Sequence, residues 1–207
     1  LYVQNEVNDL AELYYEFFTG TQDDPALRLA SNYLSYLGTP TRSAEEIAQE
    51  MYQLACTFQL RSGSSASVIS ISGLSENIPA AMSIVEDLIY NAVPNEAILA
   101  NLKADMLKER ADAKLNQGRC FSALQNYVLL GKDYISRTTL TDHQIESITS
   151  EELLGRIRDL MECSHEVSYY GPETESEVKT LIRNNHRIAE NLKPLTLTYP
   201  EAVPTPT

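Results

Sequence analysis

Three helix starts along this chain carry a Ser or Thr followed three residues later by Glu: Ser43 with Glu46, Thr149 with Glu152, and Thr174 with Glu177. Each pair is a capping box. The hydroxyl accepts the N3 backbone N–H and the carboxylate reaches back to the N-cap N–H. Three helix starts are set this way. After Ser43, the residues Ile47, Met51, Leu54 and Ala55 share one apolar face. Thr149 opens a helix to about Met161, and Thr174 one to about Glu190. Asn77 and Asn95 are further caps. Asn77 precedes Pro79 and a helix to about Tyr90; Asn95 precedes a long helix to about Ala113, with Ile98, Leu102 and Met106 inward. A helix over Cys120 to Leu130 should stop at Gly131, with a loop from Lys132 to His143.

Strand signals lie between these helices. Leu1 to Glu6 and the Tyr- and Phe-rich run Leu10 to Phe18 read as strands. Phe58 to Arg61 and Ser67 to Ser72 form a hairpin around Ser62-Gly63-Ser64, with Gly73 ending its second arm. In that arm Val68, Ile69 and Ile71 suit a sheet, and the Ser residues suit a partly wet face. Glu166 to Tyr170 is the last strand. This order predicts an α+β domain over residues 1–192: a sheet, mixed or mostly antiparallel, with helices packed on one face. Residues 193–207 are rich in Pro and read as a linker toward a further domain.

One more helix stands near the start, within Asp23 to Thr39. Asp23 or Asp24 caps it and Pro25 suits its first turn. Leu27, Ala30, Leu34 and Leu37 fall at helical spacing on a buried face. Gly38 should end it in a left-handed turn.

Charge narrows the function. The net charge is −13 and the pI about 4.6, so phosphate backbones are repelled and nucleic-acid binding is not expected. No run approaches the ~18 apolar residues of a membrane span. The chain begins on Leu1-Tyr2-Val3 rather than Met and reads as a piece of a longer protein; nothing in it fixes a compartment. Cys56, Cys120 and Cys163 are widely spaced, with no Cys-x-x-Cys, and read as structural thiols. His143, His165 and His186 are isolated, with no pair at helical spacing. There is no Gly-x-Ser-x-Gly, P-loop or Gly-x-Gly-x-x-Gly.

The first helix ends Tyr36-Leu37-Gly38-Thr39. This ending resembles the pitrilysin/insulinase zinc peptidases, whose inverted motif His-x-x-Glu-His sits on a helix that closes with an aromatic, one residue and Gly-Thr. Three other segments bear on the likeness. Ser70-Ile71-Ser72-Gly73-Leu74 with Asn77 is similar to the family's strand-to-helix crossover. Asp142 to Glu152 resembles the segment before its last strand. Tyr169-Tyr170-Gly171 stands where members often have Gly-Asp. Together these cover most of residues 10–190.

The resemblance implies a metallopeptidase fold of the LuxS/MPP type. Counted back from Gly38, it puts Leu29 and Tyr33 at the two His positions and Asn32 at the Glu position. Glu109, seventy-six residues after Tyr33, is the candidate the resemblance offers for a relic of the third zinc ligand; flanked by Lys108 and Arg110, it reads equally as a solvated helix-face charge. Leu29 and Tyr33 should face a surface shared with Glu109. These four are degenerate motif positions: no catalytic residue and no metal ligand set is left. Asn32 is no general base, because an amide does not titrate in the useful range. Arg119 and Tyr127 have the look of the family's helper Arg and Tyr, which belong to a later domain, and are read as structural. The implied role is the non-catalytic half of a zinc metalloendopeptidase, forming chamber wall and peptide contacts. Zinc is then expected in a partner half, on the same chain or another. The alternative is an inactive scaffold or binding protein of the same fold.

Overall fold

The computed structural model describes residues 1–194; the Pro-rich run over 195–207 lies outside the described residues. Among the described residues five strands, β1 Tyr2–Gln4, β2 Leu10–Phe17, β3 Cys56–Ser62, β4 Ser67–Leu74 and β5 His165–Gly171, form one sheet in the order β1-β5-β2-β4-β3. β2 pairs antiparallel with β4 and β5, and β3 antiparallel with β4. β1 runs parallel to β5. The sheet is therefore mixed, rather than mostly antiparallel as expected. A parallel neighbour needs a long crossover, and here the rest of the domain lies between β1 and β5, so local turn signals could not reveal the pairing.

Strand alternation builds the core. Ala11, Leu13, Tyr15 and Phe17 of β2 point to one face, with Ile69 and Ile71 of β4 beside them, all buried. Glu12, Thr57, Gln59 and Arg61 hold the exposed face. The described residues form eight helices in chain order: α1 Leu27–Leu34, α2 Ala44–Gln53, α3 Ile78–Asn91, α4 Glu96–Ala113, α5 Gln117–Thr138, α6 Asp142–Ser147, α7 Ser150–Met161 and α8 Glu175–Asn185. α1, α2 and α3 lie against β3 and β4, and α7 packs on α1. All three expected capping boxes form, at Ser43, Thr149 and Thr174. A fourth, Thr141 with Gln144, opens α6. Among the described residues no helix is long and apolar enough to cross a membrane.

Several expectations change. α1 begins later than the sequence suggests. Asp24 Oδ1 accepts from Ala26 N at 2.9 Å and Asp23 Oδ2 from Gly20 N at 3.0 Å, so these carboxylates hold the approach loop instead of capping the helix. Gly38 is not left-handed. Its reason is space: a Cβ there would meet Ser43 Cα at 2.9 Å and the Arg42 carbonyl still closer. Asn77 precedes α3 without capping it; its amide donates to Leu54 O at 2.9 Å. β4 runs through Gly73 to Leu74, where the backbone of Ala55 and Cys56 comes too close for any side chain. α8 ends at Asn185, before the expected Glu190. On α4 the fully buried residue is Leu99, with Ile98, Leu102 and Met106 half-buried.

The largest difference is α5. Gly131 does break the helix, with φ 79° and ψ 170°, but a second helical arm follows where a loop was expected. The helix packs poorly against the body: Phe121 is 60%, Leu124 57% and Leu129 63% exposed. At the other end, Lys193 still belongs to the domain, since Ser164 N donates to its carbonyl at 2.8 Å.

Candidate functional site

α1 carries the positions that matter, and its amphipathic pattern decides where each points. Leu29 and Tyr33 are one turn apart on the buried face, 2% and 0% exposed. Asn32 falls on the outer flank of the same helix and is exposed. Beside them the structure holds a cavity of about 290 Å³ between α1, α4 and the end of α5, lined among others by Arg28, Leu29, Asn32, Glu109, Arg110 and Arg119. Leu29, Asn32 and Glu109 thus share one cavity.

Tyr33 does not line it. A buried phenol needs partners, and this one finds them at two helix starts. Its hydroxyl accepts from Asn95 N at 2.7 Å and donates to Ser150 Oγ at 2.8 Å. Asn95 is the N-cap of α4; Glu109 is fourteen residues on, about 21 Å along the axis of a regular helix. The Tyr33 hydroxyl and the Glu109 carboxylate therefore serve opposite ends of α4.

The cavity is rich in guanidinium groups. Arg119 Nη1 pairs with Glu109 Oε1 at 3.0 Å. Arg110 donates to Asp142 Oδ1 at 2.6 Å and to Leu140 O at 2.5 Å, which straps the segment after α5 onto α4. Tyr127, by contrast, stands 44% exposed on α5.

Zinc takes N, O or S ligands in a roughly tetrahedral set. Leu29 has no donor atom, Asn32 offers a neutral amide, and the Tyr33 hydroxyl is committed elsewhere. Only Glu109 is a carboxylate, and it faces Arg119. These residues do not fit a zinc ion. Among the described residues, no group of three or more His, Cys, Asp and Glu side chains is placed to hold a metal.

Elsewhere two of the histidines, His165 and His186, meet. His165 Nε2 lies 2.8 Å from His186 Nε2, and His186 Nδ1 lies 2.7 Å from Glu86 Oε1. Tyr15 stacks on His186 with ring centroids 4.3 Å apart, and Phe17 packs on His165 at 4.6 Å. The partners are 21 and 100 residues apart in sequence, so helical spacing could not find them. The strand alternation that buries Tyr15 and Phe17 was the available signal. Burial, more than the neighbouring His186, holds His165 below the ordinary imidazole value, and burial chiefly raises the Tyr15 phenol.

The His165 shift sets a pH dependence. The unfolded chain binds a proton at this residue near pH 6.5, and the folded chain only at lower pH. Between those values the unfolded state carries more protons, so stability rises with pH. We expect the urea midpoint to fall as pH drops below about 6.5, and to fall less in His165→Gln. A midpoint that rises on acidification from pH 7 to 5.5 would contradict the burial of a neutral His165.

No family model and no curated protein matches the chain. Solved structures do. The periplasmic protease PqqL from Escherichia coli superposes with TM-score 0.79 at 16% identity, over 98% of this chain and 23% of that one. A peptidase M16 inactive domain from Pseudomonas fluorescens gives TM-score 0.74 at 18% identity, over 93% and 50%. The fold is that of the M16 peptidases. A protease from Helicobacter pylori shares it too, with TM-score 0.73 at 11% identity, over 96% of this chain and 50% of that one. The chain thus spans between a quarter and a half of the M16-fold chains it matches. The M16 fold fits the pitrilysin-type resemblance of the sequence.

Proposed function

We propose that the chain is a non-catalytic domain of a pitrilysin-type zinc peptidase, with the LuxS/MPP-like form of that fold. It would supply chamber wall and peptide-contact surface to a half that holds the zinc. The observation that carries this reading is α1. In an M16 fold, Leu29 and Tyr33 of this helix are spent on the core, and the exposed position between them is the amide Asn32. Metal-assisted hydrolysis needs an ion to lower the pKa of water and a base to take its proton. Neither can be built from these side chains. In this reading the exposed apolar face of α5 is where the zinc-bearing half closes.

The test is hydrolysis of a flexible, internally quenched peptide by the purified chain, with added zinc and with chelator. The expected result is no turnover above the no-protein rate in either condition, from a chain that melts cooperatively. Chelator-sensitive cleavage that co-elutes with the chain would overturn the assignment.

A further inference from the structure

The cavity beside α1 carries a charge pattern opposite to that of the whole chain. Three guanidinium groups line it, Arg28, Arg110 and Arg119, against one carboxylate, Glu109, in a protein of net charge −13. Arg110 is committed to Asp142 and the Leu140 carbonyl. Arg119 is held by Glu109 alone among charged partners, and that pair is solvent-exposed, 55% and 67% by side chain. Exposed pairs of this kind are weak and exchange readily. Arg28 has no ion-pair or hydrogen-bond partner among the described residues. The cavity therefore already pairs one carboxylate with a guanidinium through a single bond and has a second arginine, Arg28, without such a partner among the described residues.

We propose that this cavity is a subsite for a carboxylate of a bound peptide, either an Asp or Glu side chain or a free C-terminus. Arg28 and Arg119 would receive it, and Asn32 would offer its amide N–H groups. This rests on the peptide-contact reading above and names the chemistry of that contact. Planar guanidinium forks match a carboxylate with two parallel bonds. At about 290 Å³ the cavity is at the small end of ligand pockets, which suits one acidic residue and not a whole ligand. The net negative charge does not forbid this, since repulsion from distant acids is screened beyond about 8 Å at physiological salt. Glu109 acts as the internal competitor: it holds Arg119 until an external carboxylate displaces it.

The test is fluorescence anisotropy with four labelled, unstructured peptides of one Gly/Ser-rich sequence. They carry a central Glu or Gln, each with a free or an amidated C-terminus. The intact chain should bind acid-bearing peptides at least tenfold more tightly than the neutral, amidated one, and added salt should shrink the difference. Arg28→Gln should remove most of that preference. Glu109→Gln should strengthen it severalfold, because the competitor is gone; a merely structural Glu109 would not do so. Preference for the central Glu assigns a side chain as ligand, and preference for the free end assigns the terminus. If all four peptides bind equally and neither variant changes that, the subsite is overturned while peptide contact stands. If no peptide binds at all, the peptide-contact reading falls with it.

Discussion

Tyr33→Ala should destabilise the domain by about 3–5 kcal/mol, the range for losing a large buried aromatic. The ring is fully buried in α1, and its hydroxyl joins α1 to the first residue of α7 and the N-cap of α4. Three helices therefore loosen together. Tyr33→Phe separates the two contributions. It keeps the packing and strands the Asn95 N–H and Ser150 Oγ, at a cost of about 1–3 kcal/mol for buried polar groups left unpaired. Asn32→Ala, one position earlier and exposed, should change stability by less than about 0.5 kcal/mol. Urea midpoints with unchanged slope are the readout. A Tyr33→Phe protein as stable as the parent would mean that the hydroxyl is not embedded as described.

That contrast also explains why the site was only partly legible in the sequence. Helical spacing puts Leu29, Asn32 and Tyr33 on adjoining faces of one turn, but it cannot say which lines a cavity and which fills the core. The answer depends on Ser150 and Asn95, 117 and 62 residues away. The family's motif separation points to Glu109, and Glu109 lines the same cavity as Leu29 and Asn32. Its partner Arg119 lies ten residues on, across the turn from α4 to α5. The free Arg28 needed the structure, since an exposed charge on a helix is ordinary until its surroundings are seen.

For the fold, the readable parts are those with local causes. Capping boxes at Ser43, Thr149 and Thr174 mark helix starts because both hydrogen bonds form within four residues. The same signal at Thr141 and Gln144 marks the start of α6 at the end of the expected loop. The second arm of α5 beyond Gly131 is not legible in the sequence, because a Gly after an apolar helical run reads as a stop; here the chain kinks at Gly131, with positive φ, and resumes. The parallel β1–β5 pair and the His165–His186 contact are non-local, and nothing near either partner announces them.

The account's central claim is that α1 and its cavity are the remains of a zinc site, and one titration addresses it. Leu29→His, Asn32→Glu and Tyr33→His together put two imidazoles at i and i+4 on α1; the one at position 29 shares the cavity with Glu109, and the one at position 33, without the tyrosine's bonds to Asn95 and Ser150, has to turn toward it. This supplies three ligands and an open position. The variant starts weakened, since Leu29 and Tyr33 are core residues and the Tyr33 bonds to Asn95 and Ser150 are lost. Affinity will fall below that of a natural site, because nothing orients the new imidazoles. Zinc should nonetheless stabilise it. At a hundredfold excess over Kd the gain is about 2.7 kcal/mol, a rise in Tm of roughly 5–10 °C for a chain this size. The measurement is Tm against zinc concentration for the parent, the triple variant, and the triple variant with Glu109→Ala. The account predicts no response, a saturable rise, and a much smaller rise. A parent chain that zinc itself stabilises, or a folded triple variant that zinc leaves unmoved, would contradict it.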